Sequence, residues 1–145
     1  MLHSATHMAA NDEERMIARL GDLGVTGMWR MHQAARIITR DLNGNEQLIA
    51  AIGGFHGKAR TILVATNHRL IMVGHRPMIT DSEEFSYAII TGVRLVTYGL
   101  FSSVTLHTHI GDIEINKVNN TAAITFAGVI EQTLAAELPT RKVKL

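Results

Sequence analysis

Along the chain the spacing of apolar residues changes once from helical to alternating, and once back again. They recur at steps of three and four between residues 11 and 42, at steps of two from 46 to 116, and at three and four from 123 onwards. That order predicts helices, then strands, then one helix. Asn11 and Glu14 have the spacing of a capping box; Met16, Ile17, Leu20 and Leu23 then form one stripe, and Gly24 supplies a stop. Thr26 is placed to cap a second helix carrying Met28, Met31, Ala35, Ile38 and Leu42, ended by Asn43-Gly44. Seven strands are predicted, over 47–53, 61–66, 69–74, 79–86, 92–98, 102–108 and 112–116. Ala123, Phe126, Ala127, Ile130, Leu134 and Leu138 mark the last helix, with Asn119, Asn120 or Thr121 as its cap and Pro139 as its close. The chain divides into a helical segment (1–45), a β-rich domain (46–138) and a loose basic tail (139–145).

The second and third strands flank a polar step, Thr66-Asn67-His68-Arg69. Asn and His tolerate positive φ, so Asn67-His68 is expected to form a two-residue hairpin loop. Thr66 then faces Arg69, Val64 faces Ile71 and Ile62 faces Val73, while Leu63, Ala65, Leu70 and Met72 collect on the other side. The polar step is a turn, not a reaction centre. Both faces of this hairpin are apolar, so something must cover the second one: the amino-terminal helices or another copy of the protein. Later strands alternate cleanly. Val104, Leu106, Ile113 and Ile115 point one way, and Ser103, Thr105, His107, Asp112 and Glu114 the other.

Three stretches add a resemblance: "FHGKARTILVATNHRLIMV" (55–73), "ITGVRLVTYGLFSSVTLHT" (90–108) and "GDIEINKVNNTAAITFAGVIEQTL" (111–134). Their order and spacing resemble the bacterial pleckstrin-homology (PH)-like domains, especially the YokE-like group, over roughly residues 46–136. The expected fold is mainly β with α: a seven-stranded antiparallel PH-like barrel or sandwich, capped by a C-terminal helix and preceded by one or two N-terminal helices. The resemblance implies a non-catalytic role and no particular ligand.

Composition narrows the function. The chain is 46% hydrophobic and 19% charged, ordinary for a globular domain of 145 residues. Without Arg141, Lys142 and Lys144, 11 basic residues face 13 acidic ones, so the body lacks the basic stripe of a nucleic-acid binder. With no cysteine, thiolate metal sites and cysteine nucleophiles are excluded. No apolar run approaches the roughly 18–20 residues that span a bilayer. "MLHSATHMAA" lacks a signal peptide's basic start, and the expected location is cytoplasmic.

No catalytic signature is present: G-x-S-x-G, H-E-x-x-H and a phosphate-cradling glycine loop are all missing, and Gly53-Gly54 opens no helix. Glu83 and Glu84 point to opposite faces of a strand. No catalytic residue, metal or cofactor is therefore expected. A turn centred on Ile110-Gly111 would set His107 against Glu114 and His109 against Asp112, a sparse set for zinc and otherwise a solvated face. His56, Lys58 and Arg60 occupy the stretch where phosphoinositide-binding PH domains hold headgroups, which makes an anionic membrane lipid the second candidate partner. The first is a protein, or a second copy. Its candidate contacts are Trp29 between Met28 and Met31, the hairpin residues Leu63, Leu70 and Met72, and Leu100 and Phe101 of the turn Tyr98–Phe101. That turn either packs over the end of the barrel, the commoner arrangement, or projects as an anchor.

Overall fold

The computed structural model describes residues 2–25, 31–76 and 79–143, and omits the side chains of 2–11, 31, 76, 79, 80 and 138–143. Two helices, α1 (Leu2–Asp22) and α2 (Met31–Asp41), precede the strands β1 (Leu48–His56), β2 (Ala59–Thr66), β3 (Arg69–Arg76) and β4 (Ile79–Ser86). A 3-10 turn (Tyr87–Ile89) leads into β5 (Ile90–Tyr98), β6 (Phe101–Thr108) and β7 (Gly111–Asn119), and α3 (Asn120–Val143) closes the chain. All strands run antiparallel in one sheet, ordered β4-β3-β2-β1-β7-β6-β5, which bends but does not close. Its two edges are β4 and β5. Along β4, Asp81, Ser82, Glu83 and Glu84 are exposed, a charged edge that resists pairing with another chain.

The hairpin register is as predicted, with Val64 opposite Ile71 and Ile62 opposite Val73. Its turn is not. Asn67 and His68 keep negative φ, because the Thr66 hydroxyl accepts the His68 and Arg69 N–H groups, each at 3.0 Å, and shapes the turn itself. Both apolar faces are covered from within the chain. Leu63, Ala65, Leu70 and Met72 enter the main core with Val104, Leu106, Ile115, Phe126 and Ile130. Ile62, Val64, Ile71 and Val73 pack under the amino-terminal helices against Leu20, Val25, Ala34 and Ile38. Four such side chains, at about 1.5–3 kcal/mol each when fully buried, together match the usual net stability of a domain. The helices are therefore part of the fold. Arg19 ties α1 to β1 through the Leu48 carbonyl (3.1 Å), and Arg36 of α2 bonds Glu13 of α1 (2.6 Å).

Several boundaries differ from expectation. Helix α1 begins at Leu2, not at Asn11, since alanine-rich residues with no breaker precede Asn11. Strand β1 runs through Gly53-Gly54 to His56. Helix α3 passes Pro139 to reach Val143, because proline removes one donor while the residues after it still find carbonyls a turn back. Thr26, Met28 and Trp29 lie outside the described residues, as does the side chain of Met31.

Gly24 ends α1 as predicted. Its N–H bonds Gly21 O (3.0 Å) and that of Val25 bonds Leu20 O (2.8 Å), the two bonds of a Schellman cap, with Val25 and Leu20 both buried. Its φ is +105°, and a methyl there would meet Ala122 Cβ of α3 at 2.8 Å. Gly24→Ala is expected to cost about 2 kcal/mol, read by urea denaturation, through left-handed strain plus the clash. A variant within 0.5 kcal/mol of wild type would rule this out.

Candidate functional site

The polar step belongs to a charged joint. Arg69 meets Glu46 through two bonds of 2.8 Å, and also Glu84 (2.5 Å) and the Asp41 carbonyl at the end of α2 (2.5 Å). Glu46, whose side chain is fully buried, also accepts the Thr66 hydroxyl (2.6 Å) and the Asn43 N–H (3.1 Å). The Arg69 bonds outweigh burial and hold the Glu46 carboxyl at about 2, and the same partners push Arg69 above its ordinary range. Tyr87 donates to the Thr66 carbonyl (2.5 Å), and burial raises its phenol. Each group is committed to another. The joint locks α2 to the hairpin and keeps Glu46 ionised at neutral pH.

His56, Lys58 and Arg60 do not converge. Strand pairing sets His56 against Ala59 and Phe55 against Arg60, which turns His56 and Arg60 to opposite faces. His56 donates to the Glu114 carbonyl (3.1 Å) at a small cleft it shares with Asp81 and Glu83, carboxylates that oppose a phosphate. Lys58 is exposed on the turn after Gly57. Arg60 lies over the Phe55 ring, 5.5 Å from its centroid.

The histidine pairing is also shifted. The β6–β7 turn centres on His109-Ile110: Thr108 faces Gly111, His107 faces Asp112 (2.9 Å), and Thr105, not His107, faces Glu114. Gly111 takes the positive φ (+123°), and the Thr108 hydroxyl accepts from Ile110 and donates to Gly111 O, fixing that register. Among the described residues no three His, Asp or Glu side chains come together as metal ligands.

Of the expected contact residues, Leu63 and Leu70 (0% exposed) and Met72 (8%) are core positions, a correction that follows from the inward face of the hairpin. Leu100 (83%) and Phe101 (50%) are exposed, together with Tyr98 (67%), so the turn projects and does not pack over the sheet end. It is held firmly. Gly99 has φ +61°, its carbonyl accepts from the Asn120 amide (3.0 Å), and Ser102 bonds the same side chain (2.6 Å). The α3 cap is its neighbour Asn119, which accepts the Ala122 N–H (3.1 Å).

Beside this tip lies a cleft of about 420 Å³, lined by Tyr98, Phe101, Ser103, Asn116, Glu114 and Lys117. A bulge builds it: Ser102 faces Val118 and Val104 faces Ile115, leaving Ser103 opposite both Asn116 and Lys117. Ser103 and Asn116 are bonded through their side chains. Lys117 has φ +57°, alone among the described non-glycine residues, and its ammonium stands 5.6 Å from the centroid of the Phe55 ring that Arg60 also covers. Left-handed backbone costs a lysine about 1–2 kcal/mol, and an exposed cation–π contact returns about 0.5–1. Lys117 and Phe55 were not candidates from sequence. Their signal was present: the inward residues Ile113, Ile115 and Val118 break step by one, as a bulge requires.

A family model described as bacterial PH domain matches residues 42–132. The chain belongs to the bacterial PH domain family. The match does not distinguish the YokE-like group, which stays a resemblance of sequence motifs. No curated protein matches the chain. Among solved structures, this PH domain is similar to the C-terminal domain of an unknown protein from Leishmania infantum, with 15% identity, 72% of this chain and 99% of that one covered, and a TM-score of 0.53. It is also similar to a duf1696 family protein with a pleckstrin-homology domain from Shewanella loihica PV-4 (19%, 75% and 97%, 0.44). A third is the hSac2 domain from human phosphoinositide phosphatase Sac2 (9%, 79% and 86%, 0.48). These likenesses concern the fold. PH domains are general interaction modules that bind lipids or proteins. No helix among the described residues is long and apolar enough to cross a membrane.

Proposed function

We propose that this PH domain is a non-catalytic protein-interaction module that meets its partner through the β5–β6 tip. The observation that carries this is the exposure of Tyr98, Leu100 and Phe101 on one braced turn. Single exposed apolar side chains are ordinary; three together, two of them aromatic, have the character of an interface core. Self-association through the hairpin loses its motive, since the main core covers one face and the amino-terminal helices the other. Headgroup binding through His56, Lys58 and Arg60 finds less support, because the three diverge and carboxylates flank His56. The strongest polar cluster, around Glu46 and Arg69, is satisfied internally, which favours a structural role over chemistry.

The test is a photo-crosslinking residue at position 100, followed by purification of the adduct and a binding isotherm with the identified protein. Leu100→Ser with Phe101→Ser should weaken that isotherm about tenfold or more while stability stays within about 0.5 kcal/mol. An adduct only with a second copy would return the reading to self-association; no adduct, or unchanged binding by the variant, would end it.

A further inference from the structure

We propose that the platform of Phe55, Arg60 and Lys117, continuous with the cleft beside Tyr98 and Phe101, binds an acidic segment of a partner protein that carries an apolar side chain. The inference rests on the tip being the interaction surface, and adds the chemistry of what it takes. Arg60 and Lys117 both stand within 5.6 Å of one ring centroid, and among the described residues neither forms an ion pair. Arg60 on β2 and Lys117 on β7 stand on the two strands that flank β1 and its Phe55, so an acidic segment laid across these strands meets a cation on either side of the ring. The bulge that aims Lys117 there carries a backbone conformation lysines rarely adopt, and the ring contact does no more than offset it. A solvated lysine would need neither bulge nor strain.

The surroundings select the occupant. Tyr98 and Phe101 make one wall of the cleft apolar, while Ser103 and Asn116 line its floor and already bond each other. Glu114 borders the same cleft and repels an anion from that side. An acidic side chain therefore belongs over Arg60 and Lys117, with its apolar neighbour against Tyr98 and Phe101. A flat anionic bilayer fits less well, since its headgroups would meet Glu114 and a body in which acidic residues outnumber basic ones.

The probes are two fluorescein-labelled peptides of about ten residues: one with Asp and Glu around a single Phe, the other with Asn and Gln in their place, measured by anisotropy on the full chain. The acidic peptide is expected to bind about tenfold tighter than the neutral one, the scale of two partly exposed ion pairs. Lys117→Gly with Arg60→Gln should remove that difference without lowering the melting temperature, because glycine accepts the left-handed backbone. Lys117→Arg should preserve it. Equal binding of the two peptides, binding of neither, or an unaffected double variant overturns the proposal. If Leu100→Ser with Phe101→Ser loses both peptides while the charges prove irrelevant, the acidic partner falls and the tip stands; if only the charge variants matter, the tip falls instead. Flotation with phosphatidylserine vesicles that is lost in Lys117→Gly with Arg60→Gln would overturn it in favour of a membrane.

Discussion

Replacing Arg69 with methionine is expected to lower stability by about 3 kcal/mol in urea denaturation, because it strands the buried Glu46 carboxylate without its cation. The loss should not come from Glu84, whose side chain is half exposed and whose pairing is weak for that reason. Removing both charges, as Arg69→Met with Glu46→Leu, should recover much of the deficit, since no buried charge then lacks a partner. Acidity probes the same joint. Folding lowers the Glu46 carboxyl from 4.5 to about 2, so its stabilisation is complete above the unfolded value and is lost as pH falls through the folded one. The wild type should lose at most about 3 kcal/mol across that window, less where solvent reaches Arg69. In Arg69→Met the carboxyl is buried without its cation, its pKa rises, and the slope from this group should vanish or reverse. Stability of Arg69→Met within 1 kcal/mol of wild type, with an unchanged acid slope, would refute the account.

The strands were legible because β-pleating writes period two into the chain. The hairpin register followed from it, and Ile62, Val64, Ile71 and Val73 even announced the need for a cover. The turn chemistry was less legible. At Thr66 a side chain replaces the backbone conformation that Asn67-His68 would have needed, and at Gly111 one positive φ moves the turn by a residue and separates His107 from Glu114. Local rules name what a residue tolerates; competing hydrogen bonds decide what it adopts.

The candidate site divides in the same way. The exposed tip was visible as Tyr98–Phe101, although not its exposure, which depends on Asn120 bracing the turn outward. The headgroup stretch was visible as three basic residues, but alternation along β1 and β2 sends His56 and Arg60 to different faces. Arg60 gains its neighbour from β7, some sixty residues later in the chain, where the bulge at Lys117 brings a second cation to the same ring. Such pairing is a property of the sheet order, with β1 beside β7, and no local pattern carries it.

That junction should also be the least tolerant place in the sheet. The register between β1 and β7 is a single pair, Phe55 with Asn116, and next to it Gly54 packs inward. A methyl on Gly54 would fall inside the contact radius of the Asn116 carbonyl oxygen and 3.0 Å from both Ile115 Cγ2 and Val118 Cγ2. Two of these atoms belong to core side chains and one to backbone, so β1 must retreat from β7. Gly→Ala at an unstrained position normally gains about 0.4–1 kcal/mol by restricting the unfolded chain. Here the sign should invert, with a loss of about 3 kcal/mol from overpacking where the two halves of the sheet join. Gly74→Ala is the control: its methyl would meet only Thr61 Oγ1 at 3.7 Å, an ordinary contact, and stability should hold or rise slightly. Because Asn116 and Lys117 follow directly on β7, Gly54→Ala should also weaken the acidic peptide. If urea midpoints of the two variants coincide, close approach of β1 and β7 is not what Gly54 provides.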